Sequence, residues 1–448
     1  MSRFFTLRDP AQATATGFVS LILVGTVLLS LDEAATGPAL SVVDALFTAC
    51  SAVCVTGLIV VDTGRELSLF GQTVVLVLIQ IGGLGIMAVS TILLLLLARP
   101  LGFSTYHYVS SGYHHGEGLS VKRLVRGILL ATLVLEAAGA AVIFVYLSGT
   151  GTEPLRAAWW AVFHSVSAFC NAGFSLNSDS LVSFQSSYLI NTVFMVLIIL
   201  GGLGFLVLDE LWGKLRSRES SRLSLHTKLV LSATVVLLLS GAASFLVLES
   251  GRTLAGLDWP ARLLVSLFQS TTARTAGFNT VDLGGLADET LLVLMALMFI
   301  GASPGSCGGG IKTTTLAVLL AALKARVKGE KKPNLFKRSL SGNSVGRAAT
   351  LMAGANIIVF TFAVLILFVS PWSADRGFLV KLLFETVSAF GTVGLSLGIT
   401  PELTGPAKVL LVVLMFIGRL GPLTLVHMLD SGQRRERFYH AEESVMIG

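Results

Sequence analysis

Charge is scarce in this chain. Asp, Glu, Lys and Arg make up 13% of its 448 residues, about half the share of a soluble domain. Apolar residues make up 53%. Stretches such as 73–98 and 225–248 exceed the ~20 apolar residues that cross a bilayer. These features exclude a soluble globular domain. Strict alternation of apolar and polar residues is missing as well, which excludes an outer-membrane β-barrel. Residues 1–16 are polar, and no small-residue cleavage site follows a short apolar core, so no cleavable signal is expected.

Cysteine is sparse. Cys50 and Cys54 share a helical face, and Cys170 and Cys307 lie elsewhere in apolar surroundings. No histidine or second cysteine pair joins them, so they read as small apolar filler rather than metal ligands. The histidines are scattered: His114 and His115 fall in a linker, His164 in a short apolar segment. No ligand set and no nucleophile–base pair forms, so neither a cofactor nor an enzyme is expected. The net charge of +6 could suggest nucleic acid. In a membrane chain it reflects basic cytoplasmic loops, and no nucleic-acid partner is expected.

Four segments align. They read ALFTACSAVCVTGLIVVDTG from Ala45, AVFHSVSAFCNAGFSLNSDS from Ala161, SLFQSTTARTAGFNTVDLGG from Ser266 and LLFETVSAFGTVGLSLGITP from Leu382. Each has Phe at its third position and, some ten residues later, a glycine: Gly57, Gly173, Gly277 or Gly394. Each lies between apolar spans. The following span carries a glycine motif: IGGLG from Ile81, LGGLG from Leu200, IGASPG from Ile300 and IGRLG from Ile417. Each unit therefore reads as helix, half-helix, extended loop, helix. The half-helix is too short to cross and must dip in and return. Irregular backbone at that depth cannot face lipid, so it is buried in protein or lines a watery cavity.

Two crossings per unit give the four units one orientation. The expected fold is an all-α integral membrane protein: four M1–pore-loop–M2 repeats around one pseudo-fourfold pore, with eight transmembrane helices and four re-entrant half-helices. The repeats are placed at 16–98, 123–208, 225–323 and 346–429. The N-terminus (1–15), the linkers 99–122, 209–224 and 324–345, and the C-terminus (430–448) lie on one side. That side holds most of the 32 Lys and Arg residues and is cytoplasmic by the positive-inside rule. The most basic stretch, 324–338, is either this topogenic signal or a contact for a cytosolic partner or anionic lipid.

Loops meeting on an axis can replace the water of a dehydrated cation with backbone carbonyls. Glycine suits positions where φ must turn positive and backbones must approach. The matching stretches are VCVTG (53–57), FCNAG (169–173), ARTAG (273–277) and FGTVG (390–394). None holds Asp or Glu, which argues against a carboxylate-ring filter. Arg274 is their one charge, expected to point away from the axis and to pair with a carboxylate such as Asp282.

With these units on the page, the chain resembles the Trk/Ktr/HKT superfamily of cation transporters, over about residues 15–430. Eight spans without an extra N-terminal pair are similar to the Ktr-type membrane subunit, and ARTAGFNT and SAFGTVGLS fit that type. The resemblance implies potassium uptake across the bacterial plasma membrane. It implies a K⁺ filter lined by Val55, Thr56, Gly57, Asn171, Ala172, Gly173, Thr275, Ala276, Gly277, Thr392, Val393 and Gly394, with no other metal site. Sodium-selective plant relatives carry Ser at the first filter glycine; Gly57 here favours potassium, with Na⁺ a candidate activator. The resemblance also implies a homodimer on a cytosolic nucleotide-binding (KtrA/TrkA-like) regulatory ring.

The third unit departs from the others. A straight helix over roughly 34 residues (290–323) would measure about 51 Å against a ~30 Å core. Residues 303–314, SPGSCGGGIKTT, must therefore loop out, inside the bundle and under the filter, where they obstruct the pore. A phosphate-loop reading fails on spacing, because Ile311 separates Gly310 from Lys312 and no strand precedes. Gate residues are thus Gly305, Gly308, Gly309, Gly310, Lys312 and Arg419. Lys312 holds the loop or snorkels inward. Arg419 lies mid-span in unit four. The resemblance assigns it an electrostatic barrier; a hydrogen-bonder to loop carbonyls is the structural alternative. Glu136, mid-span in unit two, reads as a proton or sodium relay or as a helix–helix hydrogen bond. The parallel repeats favour a gated channel-like pore over an alternating-access Na⁺- or H⁺-coupled symporter, whose repeats are often inverted.

Overall fold

The structure is a computed structural model describing residues 10–97, 121–216, 223–370 and 377–421. Most of the expected linker 99–122 and the C-terminal segment 430–448 lie outside these residues, as do His114 and His115.

The chain is almost wholly helical. Unit one contributes α1 (Pro10–Leu29), α2 (Val42–Val53) and α3 (Leu69–Leu97). Unit two contributes α4 (Val121–Gly149), α5 (Pro154–Phe169), α6 (Tyr188–Leu203) and α7 (Phe205–Arg216). Unit three contributes α8 (Leu225–Glu249), α9 (Trp259–Thr272), α10 (Asp288–Phe299) and α11 (Thr313–Val327). A small hairpin, β1 (Asn334–Leu335) and β2 (Arg338–Ser339), precedes α12 (Gly342–Val369), α13 (Phe378–Gly391) and α14 (Gly405–Leu420) of unit four. Two expected boundaries shift. Position 208 falls inside α7, and α1 begins at Pro10 rather than after residue 15.

By length and apolarity, five described helices can cross a bilayer: those holding Gln12–Leu29, Leu69–Val89, Val125–Gly149, Leu225–Glu249 and Gly342–Val369. A sixth arises if α6 and α7, bent by 105°, count as one broken span. Their exposed faces are apolar, as at Leu23, Val145, Val247 and Phe368.

The short helices α2, α5, α9 and α13 fall where the sequence placed its half-helices, each just before an aligned glycine. Local chemistry starts them. The Ser41 hydroxyl caps α2 by accepting from Asp44 N, and α5 and α9 carry proline in their first turn, where the missing N–H costs nothing. Their third-position phenylalanines, Phe47, Phe163, Phe268 and Phe384, are all fully buried. Between lipid-facing helices, association rests on close packing rather than on water exclusion. The first glycine of three of the four motifs serves that end. A side chain on Gly82, Gly201 or Gly418 would collide with the carbonyl of Val53, Phe169 or Phe390, the C-terminal end of the same unit's half-helix.

Three second helices end at the glycine motif, where the sequence predicted only one. Gly204, Gly305 and Gly421 have φ of +92°, +76° and +83°, values that L side chains avoid. Only α3 runs through its motif unbroken.

Candidate functional site

The four loops after the half-helices meet in a closed ring. A side chain on Gly57 would reach within 3.0 Å of Gly173 Cα, one on Gly173 within 3.0 Å of Gly277 Cα, one on Gly277 within 3.2 Å of Gly394 Cα, and one on Gly394 within 3.0 Å of Gly57 Cα. No side chain fits at any of them. The loops also share one backbone pattern. The ring glycines have φ of +88°, +72°, +80° and +93°, and the residues two before them, Val55, Asn171, Thr275 and Thr392, have +55°, +59°, +74° and +49°. Seven non-glycine residues have positive φ among the described residues, and four of them are these. Such backbone strain persists only where the surroundings over-determine it.

The half-helices do so by taking up the loop N–H groups. Thr56 N donates to Ser51 O (2.8 Å), Ala172 N to Ser167 O (2.7 Å), Ala276 N to Thr272 O (2.9 Å) and Val393 N to Ser388 O (2.9 Å). The Ser51 and Ser388 hydroxyls accept from Gly57 N and Gly394 N, each at 3.1 Å. The carbonyl oxygens of 55–57, 171–173, 275–277 and 392–394 accept no hydrogen bond from a described residue. Ten of the twelve N–H groups are bonded to the half-helices, all but those of Gly173 and Thr275, while the acceptors are free, which suits a cation. The backbone also places the twelve expected filter residues together.

The sequence reading missed a second layer of support. The residue after each repeat phenylalanine is polar and buried: Thr48, His164, Gln269 and Glu385. Three of the four reach the strand beyond the ring glycine. His164 Nε2 lies 3.0 Å from Ser175 Oγ and accepts from Leu176 N at 3.3 Å. Gln269 Nε2 donates to Thr280 Oγ1 at 3.3 Å. Glu385 accepts from Ser396 Oγ (2.5 Å), Leu397 N (3.0 Å) and Thr400 Oγ1 (2.9 Å). Thr48 is too short, and its hydroxyl has no partner. The signal was available as one alignment column, but its four residue types share only polarity.

The segment 303–312 lies against the ring. A side chain on Gly308 would strike the Thr275 hydroxyl, and one on Gly309 would strike Thr392. The excursion closes on itself, with Ile300 bridged to Ile311 and Ser303 Oγ 2.9 Å from Thr313 Oγ1. It also bonds to the glycine motif of every other unit. Ser303 N and Cys307 N donate to Gly202 O and Gly201 O, each at 3.1 Å, and Phe205 N donates to Gly305 O at 3.0 Å. Cys307 Sγ contacts Gly83 O at 3.9 Å. Arg419 donates through Nη1 to Cys307 O and through Nη2 to Gly82 O at 3.0 Å. Lys312 Nζ donates to Gly308 O (2.5 Å) and Gly309 O (3.5 Å). The structure thus brings together Gly305, Gly308, Gly309, Gly310, Lys312 and Arg419, with both cations bonded to loop carbonyls.

Two other residues resolve differently. Glu136 accepts from Gln80 Nε2 at 3.0 Å and from Cys170 Sγ at 3.7 Å, a hydrogen bond from α4 to α3. Arg274 does not pair with Asp282, contrary to expectation. Asp282 instead accepts from Gly284 N at 3.0 Å within its own turn. Arg274 is buried with no hydrogen-bond or ion-pair partner among the described residues. The first and last units, which no linker joins, are clasped by Lys408 Nζ on Asp44 Oδ1 at 2.8 Å.

Known proteins share the fold and much of the sequence. The TrkH family model, described as a cation transport protein, matches residues 2–431. The chain is 40% identical to the Ktr system potassium uptake protein B of Bacillus subtilis, over 93% of this chain and 92% of that one. It is 37% identical to the potassium/sodium uptake protein NtpJ of Enterococcus hirae, over 98% and 97%. The crystal structure of the potassium transporter TrkH from Vibrio parahaemolyticus superposes with a TM-score of 0.74 at 20% identity, covering 96% of this chain and 86% of that one. The fold is therefore that of TrkH, and the chain belongs to the TrkH family of cation transport proteins.

Proposed function

We propose that this chain is a potassium-uptake subunit of the bacterial plasma membrane, conducting K⁺ through the ring of four loops. The carrying observation is the set of twelve carbonyls that accept nothing from a described residue, on loops where ten of the twelve N–H groups bond to the half-helices. Alternating positive and negative φ turns successive carbonyls to one side, and four such strands around an axis form a carbonyl filter. Relatives named as potassium uptake proteins support the ion. On this reading the four units are M1–pore-loop–M2 repeats with eight crossings, three of them broken at glycine. Both termini are cytoplasmic.

The segment 303–312 is the gate. It lies beneath Thr275 and Thr392 and is held by Lys312 and Arg419, so conduction requires it to move. Control by a cytosolic nucleotide-binding ring under a homodimer fits the Ktr "system" named for the relatives. The driving force is the membrane potential, worth about 2.3 kcal/mol per charge per 100 mV. The relative named for potassium and sodium keeps a Na⁺-coupled reading in view. ⁸⁶Rb⁺ uptake into vesicles separates the two. Uptake driven by potential alone supports the pore, whereas strict dependence on a Na⁺ or H⁺ gradient supports coupled transport and removes it.

A further inference from the structure

Arg274 occupies the place three residues before its ring glycine, where the other units carry Cys54, Cys170 and Gly391. It is 7% exposed, yet its guanidinium makes no hydrogen bond or ion pair with a described residue, and Nε is fully enclosed without a partner. A buried, unpaired cation is among the costliest features a fold can carry. The side chain lines a pocket between units two and three, walled by Ile198 and Gly202 of α6, Thr234 and Leu238 of α8, and Ala302. Its cavity volume of ≈ 10 Å³ admits about one small species.

The pocket wall offers positive charge and a donor but no acid. Thr234 Oγ1 is a second buried polar atom there without a partner. The Thr271 hydroxyl, also on the wall, is already donated to Leu267 O at 2.7 Å. Three carboxylates of units two and three are engaged elsewhere: Asp282 with Gly284 N, Glu136 with Gln80, and Glu249 with Ala287 N and Thr290. A water would satisfy donors and leave the charge unbalanced. A lipid phosphate is too large for a space of this size.

We propose that this pocket binds a small monovalent anion of halide size, with Arg274 as its counter-charge and Thr234 as hydroxyl donor. A consequence rests on the filter reading above. The anion cancels a positive charge directly behind the ring, so cations in the ring are not repelled by it.

The test uses the full chain in detergent, crystallised with bromide in place of chloride. The expected result is an anomalous bromide peak within roughly 3.5 Å of the Arg274 Nη atoms and Thr234 Oγ1. In parallel, thermal unfolding is expected about 2 °C higher in chloride or bromide than in gluconate, which the pocket cannot admit. Arg274→Gln abolishes that difference and Thr234→Val reduces it. Absence of bromide from the pocket overturns the proposal, as does an anion effect on Tm that survives Arg274→Gln. If Arg274→Gln does not fold, the wild-type bromide peak decides alone. Bromide bound to a protein whose Rb⁺ flux is unselective would retain the site and remove the filter reading, so the two failures are distinguishable.

Discussion

Replacing Arg419 by Ala tests the gate through its best-defined contacts. The guanidinium donates to Cys307 O in the loop and to Gly82 O in α3. Hydrogen bonds from charged groups contribute about 1.5–3 kcal/mol each. The lower value applies, because the freed carbonyls can bond water once the loop is displaced. Losing both bonds then disfavours the seated loop by about 3 kcal/mol, roughly 150-fold in its equilibrium. A loop displaced in about 1% of molecules would become displaced in more than half. The assay is potential-driven ⁸⁶Rb⁺ uptake into vesicles holding equal amounts of monodisperse protein. The expected result is a rise in initial rate of up to ~50-fold. An unchanged or lower rate from folded protein would refute the view that Arg419 holds a gate shut.

Other outcomes follow from the same geometry. Lys312→Met, which removes the bonds to Gly308 O and Gly309 O, raises Rb⁺ uptake in the same assay; because it acts on the same loop, its effect combines less than additively with Arg419→Ala. Glu385→Ala, which frees Ser396, Leu397 N and Thr400 together, lowers the K⁺/Na⁺ permeability ratio, whereas Glu385→Gln keeps part of the support and loses less. The Asp44 carboxyl in the first turn of α2 lies below its ordinary pKa: burial pushes it up, but the hydrogen bonds of Lys408 and Ser41 and the charge of Lys408 outweigh that. Its contribution, about 1 kcal/mol or less for so accessible a pair, is therefore present above the unfolded carboxyl value and lost as pH falls through the lower folded one. Lys408→Met accordingly lowers Tm at pH 7 and has a smaller effect once the carboxyl is protonated, measured by unfolding at both pH values.

The four aligned segments were legible because membrane burial demands long apolar runs, so any interruption carries information. The four glycines stood out in register, and the ring they form follows from that register. A loop at 303–314 was legible from length alone, since α10 and α11 cannot be one helix within a bilayer, although Thr313 and Thr314 already belong to α11. The breaks at Gly204 and Gly421 were not. Their motifs match that of α3, which stays helical through Gly85; at Gly204 the difference lies in its packing against Pro304 and Gly305 of the loop, whereas no described neighbour packs at the Gly421 site. The Arg274–Asp282 pairing failed because proximity in sequence was taken for proximity in space. Asp282 is absorbed by its own turn. The brace of His164, Gln269 and Glu385 was invisible because unlike side chains do one job, which shows only when their partners are placed.

The central claim is that the ring of Gly57, Gly173, Gly277 and Gly394 is a potassium filter. The most direct measurement is the K⁺/Na⁺ permeability ratio from potential-driven flux in vesicles, wild type against Gly57→Ser. A side chain at Gly57 meets Gly173 Cα at 3.0 Å and disturbs the carbonyls at one level of the ring. The account predicts a wild-type preference for K⁺ that falls sharply in the variant. An identical ratio in both, with each protein folded and conducting, would contradict it.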